Sequence, residues 1–143
     1  MIGEVVAAVG IPVIGNGDLT SGADVIRRRA ETGIAGAMIG RAAMSAPWIF
    51  SQVKHYFATG EDLPARGLCE KWDLIRRHCQ LAVEEWANED QAIRSMRARL
   101  MAYSKGFANG KTLREKFQHV SSLAEIDEIA AEHMRLDLQP ALQ

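Results

Sequence analysis

Apolar and polar positions change period partway along the chain. Two short apolar runs, centred on Ile11-Pro12-Val13-Ile14 and Ala37-Met38-Ile39, each run into a glycine turn. Runs this short, closed by glycine and followed by helical spacing, read as buried parallel strands, here about 11–15 and 35–39. Residues 2–9 read as the end of a helix. Thr20 or Ser21 can cap a helix through Thr32, with Ala23, Val25, Ile26 and Ala30 facing the core and Gly33 as its stop. A helical turn at 41–45 follows, and Pro47 opens a helix to about Ala58. The polar connector TGEDLPARG, 59–67, ends this pattern, and beyond it the spacing predicts four helices over about 68–86, 89–105, 111–119 and 122–136. In the second of these, Ile93, Met96, Leu100 and Tyr103 form one apolar stripe. Ser121 or Ser122, with Glu125 placed for a capping box, starts the last.

Strand, crossover helix and strand make one βαβ step. Asn16 and Gly40, 24 positions apart, therefore sit side by side at the carboxyl edge of one sheet. Adjacent glycine turns with a helix start beside them suit a phosphate, as after the last two strands of many (β/α)8 barrels. Asn16-Gly17-Asp18 taken alone is an ordinary turn. As a site, Gly17 admits close approach of an anion, and Asn16 or Asp18 shapes the loop or binds a cofactor hydroxyl. Gly40-Arg41 adds free amides at a helix start and a guanidinium that bonds phosphate; the bland reading of Arg41 is a surface salt bridge.

Composition narrows the field. The chain has 143 residues, 48% hydrophobic and 24% charged, with net charge −1, so no global field favours nucleic acid or membrane. Neither Cys69 nor Cys79 fits a metal or disulfide framework, no signal-peptide pattern opens the chain, and no apolar run approaches the roughly 20 residues of a membrane span. A cytoplasmic protein with no metal site is the expectation. A closed barrel needs about 250 residues, so two strands must find cover in missing barrel strands or a second copy of the chain.

Charge is uneven along the tail. Residues 88–119 hold seven Lys/Arg against three acids, while 120–143 hold five acids against Arg135. Arg94, Arg97 and Lys105 fall roughly opposite the apolar stripe, and Arg114 and Lys116 extend the patch. This is either a solvated helix face or a contact for RNA phosphates. No interleaved aromatics offer a stacking platform, so base-specific readout is not indicated. Trp48, Phe50, Tyr56 and Phe57 read as core or interdomain packing. The four histidines fall in no catalytic or metal constellation.

IPVIGNGD, MIGRAA, Pro47-Trp48-Ile49-Phe50 and Thr59-Gly60-Glu61 resemble the C-terminal third of bacterial tRNA-dihydrouridine synthases. Met96-Arg97, Leu100, Tyr103, Lys105-Gly106 and Leu113-Arg114 follow the same family's helical-domain pattern. The resemblance runs from about Val5 to about Met134. It implies an α/β part, the last two βα units of an FMN-binding TIM barrel over 1–59, a connector at 60–67 and an all-α tRNA-binding domain over 68–143. It implies reduction of the C5–C6 double bond of tRNA uridines, with FMN as cofactor and NADPH as reductant. Asn16, Gly17, Asp18, Gly40 and Arg41 match the family's phosphate-holding turns. Arg97, Arg99, Lys105 and Arg114 are the candidates for tRNA. The family's catalytic cysteine, lysine and histidine have no counterpart here, so no catalytic residue is assigned and the chain alone is expected to be inactive. Arg99 and Ala102 depart from the family's usual histidine and aromatic. The alternatives are a non-catalytic RNA- or protein-binding helical module, or part of another FMN-dependent barrel oxidoreductase, for which the basic tail has no evident purpose.

Overall fold

A computed structural model describes residues 1–137; the last six positions of the expected helical domain, 138–143, lie outside the described residues. The chain divides into two compact units between Pro64 and Ala65. The first contains α1 (Ile2–Ala8), β1 (Ile14–Asn16), α2 (Gly22–Thr32), β2 (Gly36–Met38), α3 (Arg41–Ser45) and α4 (Ile49–Thr59). β1 and β2 pair in parallel, with Ile14 opposite Gly36 and Asn16 opposite Met38, and α2 is their crossover.

Local chemistry sets the ends of α2. The Ser21 hydroxyl accepts from the Asp24 amide at 3.1 Å, which caps the start. At the other end Gly33, at φ 71°, closes back onto the Arg29 carbonyl. A Cβ on Gly22 would stand 2.4 Å from Cβ of Tyr56, so the absence of a side chain lets α2 lie against α4. Leu19, Val25, Ile34, Trp48 and Ile49 form the interior of this unit.

Several expectations need correction here. β1 begins at Ile14 rather than 11, because Pro12 has no amide for a ladder, although the Val13 carbonyl still accepts from Ala35. The strands are only partly buried: Gly15 is buried, but Ile14 is 63% and Met38 50% exposed, because the sheet has only two strands among the described residues. On α2 the buried face is Gly22 and Val25, while Ile26 and Ala30 are exposed. Trp48 is interior, but Phe50 and Phe57 stand exposed on α4.

The second unit is helical: α5 (Leu68–Glu85), α6 (Glu89–Tyr103), a 3-10 turn at Ser104–Gly106, α7 (Gly110–Phe117) and α8 (Leu123–Asp137). Its core joins Trp72, Ile75 and Cys79 of α5 with Ile93, Met96, Leu100 and Tyr103 of α6, closed by Leu113, Phe117, Val120, Ile126 and Ala130. All four residues of the predicted α6 stripe are in it. The Asn88 side chain caps α6 by accepting from the Gln91 amide. Ser122 caps α8 by accepting from the Glu125 amide, and the Glu125 carboxylate reaches back to the Ser121 amide at 2.7 Å. Glu89 accepts from the Leu123 amide at 2.7 Å, tying the starts of α6 and α8 together. Burial pushes the Cys79 thiol up to about 11, so it is an inert core residue rather than a nucleophile.

Candidate functional site

In the first unit the parallel register puts the turn after β1 beside the turn after β2. Together they line a cavity of about 530 Å³ that contains all five residues singled out as a phosphate cradle: Asn16, Gly17, Asp18, Gly40 and Arg41. Leu19, next after the first turn, is buried and also lines the cavity. Gly17 stands at φ 151°, a conformation that L side chains rarely adopt, with no atom within 4 Å of where a Cβ would lie. Gly40 starts α3, whose first amides lack intrahelical partners. Arg41 and Asp18 form an ion pair that links the two turns, and both side chains are largely exposed. The pair leaves Arg41 at the cavity with further N–H donors, and an incoming anion would meet both the guanidinium and the opposing carboxylate.

The loop is braced from below. Asp24 accepts from the Thr20 hydroxyl at 2.8 Å and the Thr20 amide at 3.1 Å, and it pairs with Arg27 at 2.6 Å. Those bonds, the Thr20 hydroxyl first, hold its carboxyl well below the usual carboxylate range. Thr20 lines the cavity, so Asp24 fixes the wall of the candidate site from the first turn of α2.

In the second unit the four cations proposed for RNA are not equivalent. Arg97 donates through Nε to the Val120 carbonyl at 2.9 Å and through Nη2 to that of His119 at 3.0 Å, bracing the α7–α8 connection. Arg114 is half-buried against the Ser104 hydroxyl at 3.4 Å. Arg99 is exposed, with one long contact to the Ser95 carbonyl at 3.4 Å, and Lys105 is exposed. Of the other cations, Arg94 pairs with Asp90 at 2.8 Å and Lys116 pairs with Glu132. The Lys116 hydrogen bond lowers the Glu132 carboxyl.

Three features escaped sequence reasoning. His133 is buried, taking the Trp72 indole N–H on Nδ1 and contacting the Ala108 carbonyl through Nε2. His78 Nδ1 lies 2.9 Å from the Tyr103 hydroxyl, and burial together with the Arg99 charge lowers its pKa. Trp86, the residue that ends α5, is half exposed and lines a cleft between α5 and α6 that Arg99 also lines. Helical periodicity could have found His133, which falls on the apolar face with Ile126 and Ala130. No sequence signal marks the other two.

A family model described as dihydrouridine synthase (Dus) matches residues 1–139. The chain is 37% identical over 118 residues to a protein of Mycobacterium leprae named probable tRNA-dihydrouridine synthase, covering 82% of this chain and 30% of that one. It is 37% identical over 116 residues to tRNA-dihydrouridine synthase B of Pseudomonas putida, covering 81% and 34%. It is 39% identical over 104 residues to the protein of that name in Xanthomonas axonopodis pv. citri, covering 73% and 31%. The chain thus spans about a third of the length of these curated relatives.

Proposed function

This chain belongs to the dihydrouridine synthase family, and from that membership we propose that it carries the phosphate end of an FMN site and a tRNA-gripping helical unit. The reaction served is reduction of tRNA uridine to 5,6-dihydrouridine. In this reading residues 1–59 are the last two βα units of a TIM barrel, 60–67 a connector and 68–143 the tRNA-binding domain. FMN supplies hydride transfer to the C5–C6 double bond of uridine, with NADPH as the reductant that restores it.

The single observation that carries the reading is the shared cavity of the two turns. Its chemistry fits a phosphate monoester: a glycine wall at Gly17 that bears no side chain, amides at the start of α3, and the Arg41 guanidinium. Asn16 and Asp18 line the cavity from the first turn, and Arg41 provides the charge-assisted bond. On the helical unit Arg99 and Lys105 meet RNA phosphates directly, Arg114 extends that surface, and Arg97 holds the α7–α8 connection in place behind them.

None of these residues performs a proton or hydride transfer, and a two-stranded sheet encloses no ring-binding interior. The isolated chain is therefore proposed to bind without catalysing. Calorimetric titration of the 143-residue chain with FMN, beside Arg41→Gln, tests the cradle. FMN binding that Arg41→Gln weakens supports it, and binding indifferent to Arg41 refutes it. Uridine reduction by the purified chain with FMN and NADPH would overturn the assignment of no catalytic residue.

A further inference from the structure

We infer that the cleft between α5 and α6 is a nucleotide subsite, in which Trp86 stacks on an unpaired RNA base and Arg99 takes the adjoining phosphate. The inference rests on reading the helical unit as the part that grips tRNA.

The cleft holds about 430 Å³ and is lined by the apolar Leu81, Ala82 and Met96 together with His78, Glu85 and Arg99. Trp86 and Leu81 are each 46% exposed, and both line it, whereas the helical unit buries its other tryptophan, Trp72, completely. A half-exposed indole and a guanidinium lining one cleft offer an aromatic face for stacking and a fork for a phosphate oxygen pair. Arg99 is available for this because its one side-chain bond among the described residues, at 3.4 Å, lies beyond the ordinary N–H···O range.

The remaining polar groups favour a nucleotide over other occupants. His78 is tied through Nδ1 to the Tyr103 hydroxyl, so its Nε2 has no partner among the described residues. Burial and the Arg99 charge keep the ring neutral near pH 7, where it can bond a base edge or a ribose hydroxyl without adding charge. Glu85 is the cleft's carboxylate and can accept from a base N–H. A ligand with an anionic phosphate and N–H donors on an aromatic ring satisfies both charges. A simple anion satisfies Arg99 alone, and an apolar peptide leaves Arg99 and Glu85 unpaired. Stacking tolerates any base, so the subsite adds affinity with little sequence preference.

The experiment uses the 143-residue chain and a fluorescent tRNA transcript, with affinity measured by anisotropy across a salt series for the parent, Trp86→Ala, Trp86→Phe and Arg99→Gln. Trp86→Ala should weaken binding about 5- to 150-fold while leaving the salt slope unchanged, and Trp86→Phe should retain most of the affinity. Arg99→Gln should reduce the slope of log affinity against log salt by about one. In parallel, the Trp86 indole N–H resonance of the parent protein should shift on adding a uridine hexanucleotide, a readout independent of any variant's folding. Parent-like binding by Trp86→Ala, or an unmoved indole resonance while tRNA still binds, overturns the subsite and leaves the tRNA reading standing. Failure of the parent to bind tRNA at low salt overturns that reading and the subsite with it.

Discussion

The Trp72 indole donates to His133 Nδ1 at 3.2 Å across the helical core. An indole nitrogen only donates, so Nδ1 must be the bare nitrogen of the ring. Nε2 then carries the proton and donates to the Ala108 carbonyl at 2.9 Å, which fixes the neutral tautomer. One imidazole thereby joins α5, α8 and the loop before α7. His133→Phe leaves the buried indole N–H unpaired and should destabilise the unit by about 1–3 kcal/mol. Adding Trp72→Phe removes the orphaned donor and should cost less than the sum of the two single changes. Urea denaturation followed by circular dichroism checks both, and strict additivity would show that the bond contributes nothing.

Arg97 and Arg99 stand two positions apart on α6 and should separate cleanly. Arg97 satisfies two carbonyls of the α7–α8 connection. Arg97→Ala should therefore lower stability by about 1.5–3 kcal/mol, in the range for hydrogen bonds to a charged group. Arg99→Gln should leave the melting transition within about 0.5 kcal/mol of the parent, since it removes only an exposed charge. Thermal melts of the two variants decide the matter, and equal destabilisation would refute the division of labour.

The contrast between these two arginines shows what was legible in the sequence. The α6 stripe was readable because Ile93, Met96, Leu100 and Tyr103 recur at helical spacing, a property local to the element. So were the Ser21 cap, the Gly33 stop and the paired glycine turns, each set by backbone chemistry within a few residues. The partners of Arg97 lie 22 and 23 positions away, and that of Trp72 lies 61 away. Nothing in the spacing of either residue encodes those meetings. The strand signal was half right for a related reason: apolar runs mark Ile14 and Met38 for burial, but two paired strands alone cannot cover them.

Asp24 sets a pH dependence for the first unit. Its folded carboxyl lies below the ordinary value of 3.8, chiefly through the Thr20 hydroxyl and amide. A depressed folded value means that the carboxylate's contribution is complete above the unfolded pKa and is lost as pH falls below it. Asp24→Ala should thus destabilise by about 1 kcal/mol at pH 7, the usual cost of losing bonds at a helix start. The difference from the parent should shrink once pH drops below about 4. Urea denaturation at pH 7, 4 and 3 measures it, and a difference that grows on acidification would contradict the assignment.

Asp18 and Arg41 make the sharpest test of the cradle, because their ion pair joins the two turns that line the cavity. An exposed pair of this kind contributes only about 0.2–1 kcal/mol. A bound phosphate displaces that attraction and also feels the Asp18 carboxylate as a like charge. Asp18→Asn keeps the side chain's size and its tolerance of the positive φ found there and removes the charge, so FMN affinity should rise about 2- to 5-fold. Arg41→Gln removes the charge-assisted bond and should weaken binding about 10-fold or more. Gly17→Ala forces an alanine to φ 151° and should weaken binding through the loop rather than through charge. Repeating the titrations at high salt separates the causes: the Asp18 and Arg41 effects should shrink with screening, and the Gly17 effect should persist. A fall in affinity for Asp18→Asn would instead mean that the carboxylate touches the cofactor itself, replacing the role given to it here.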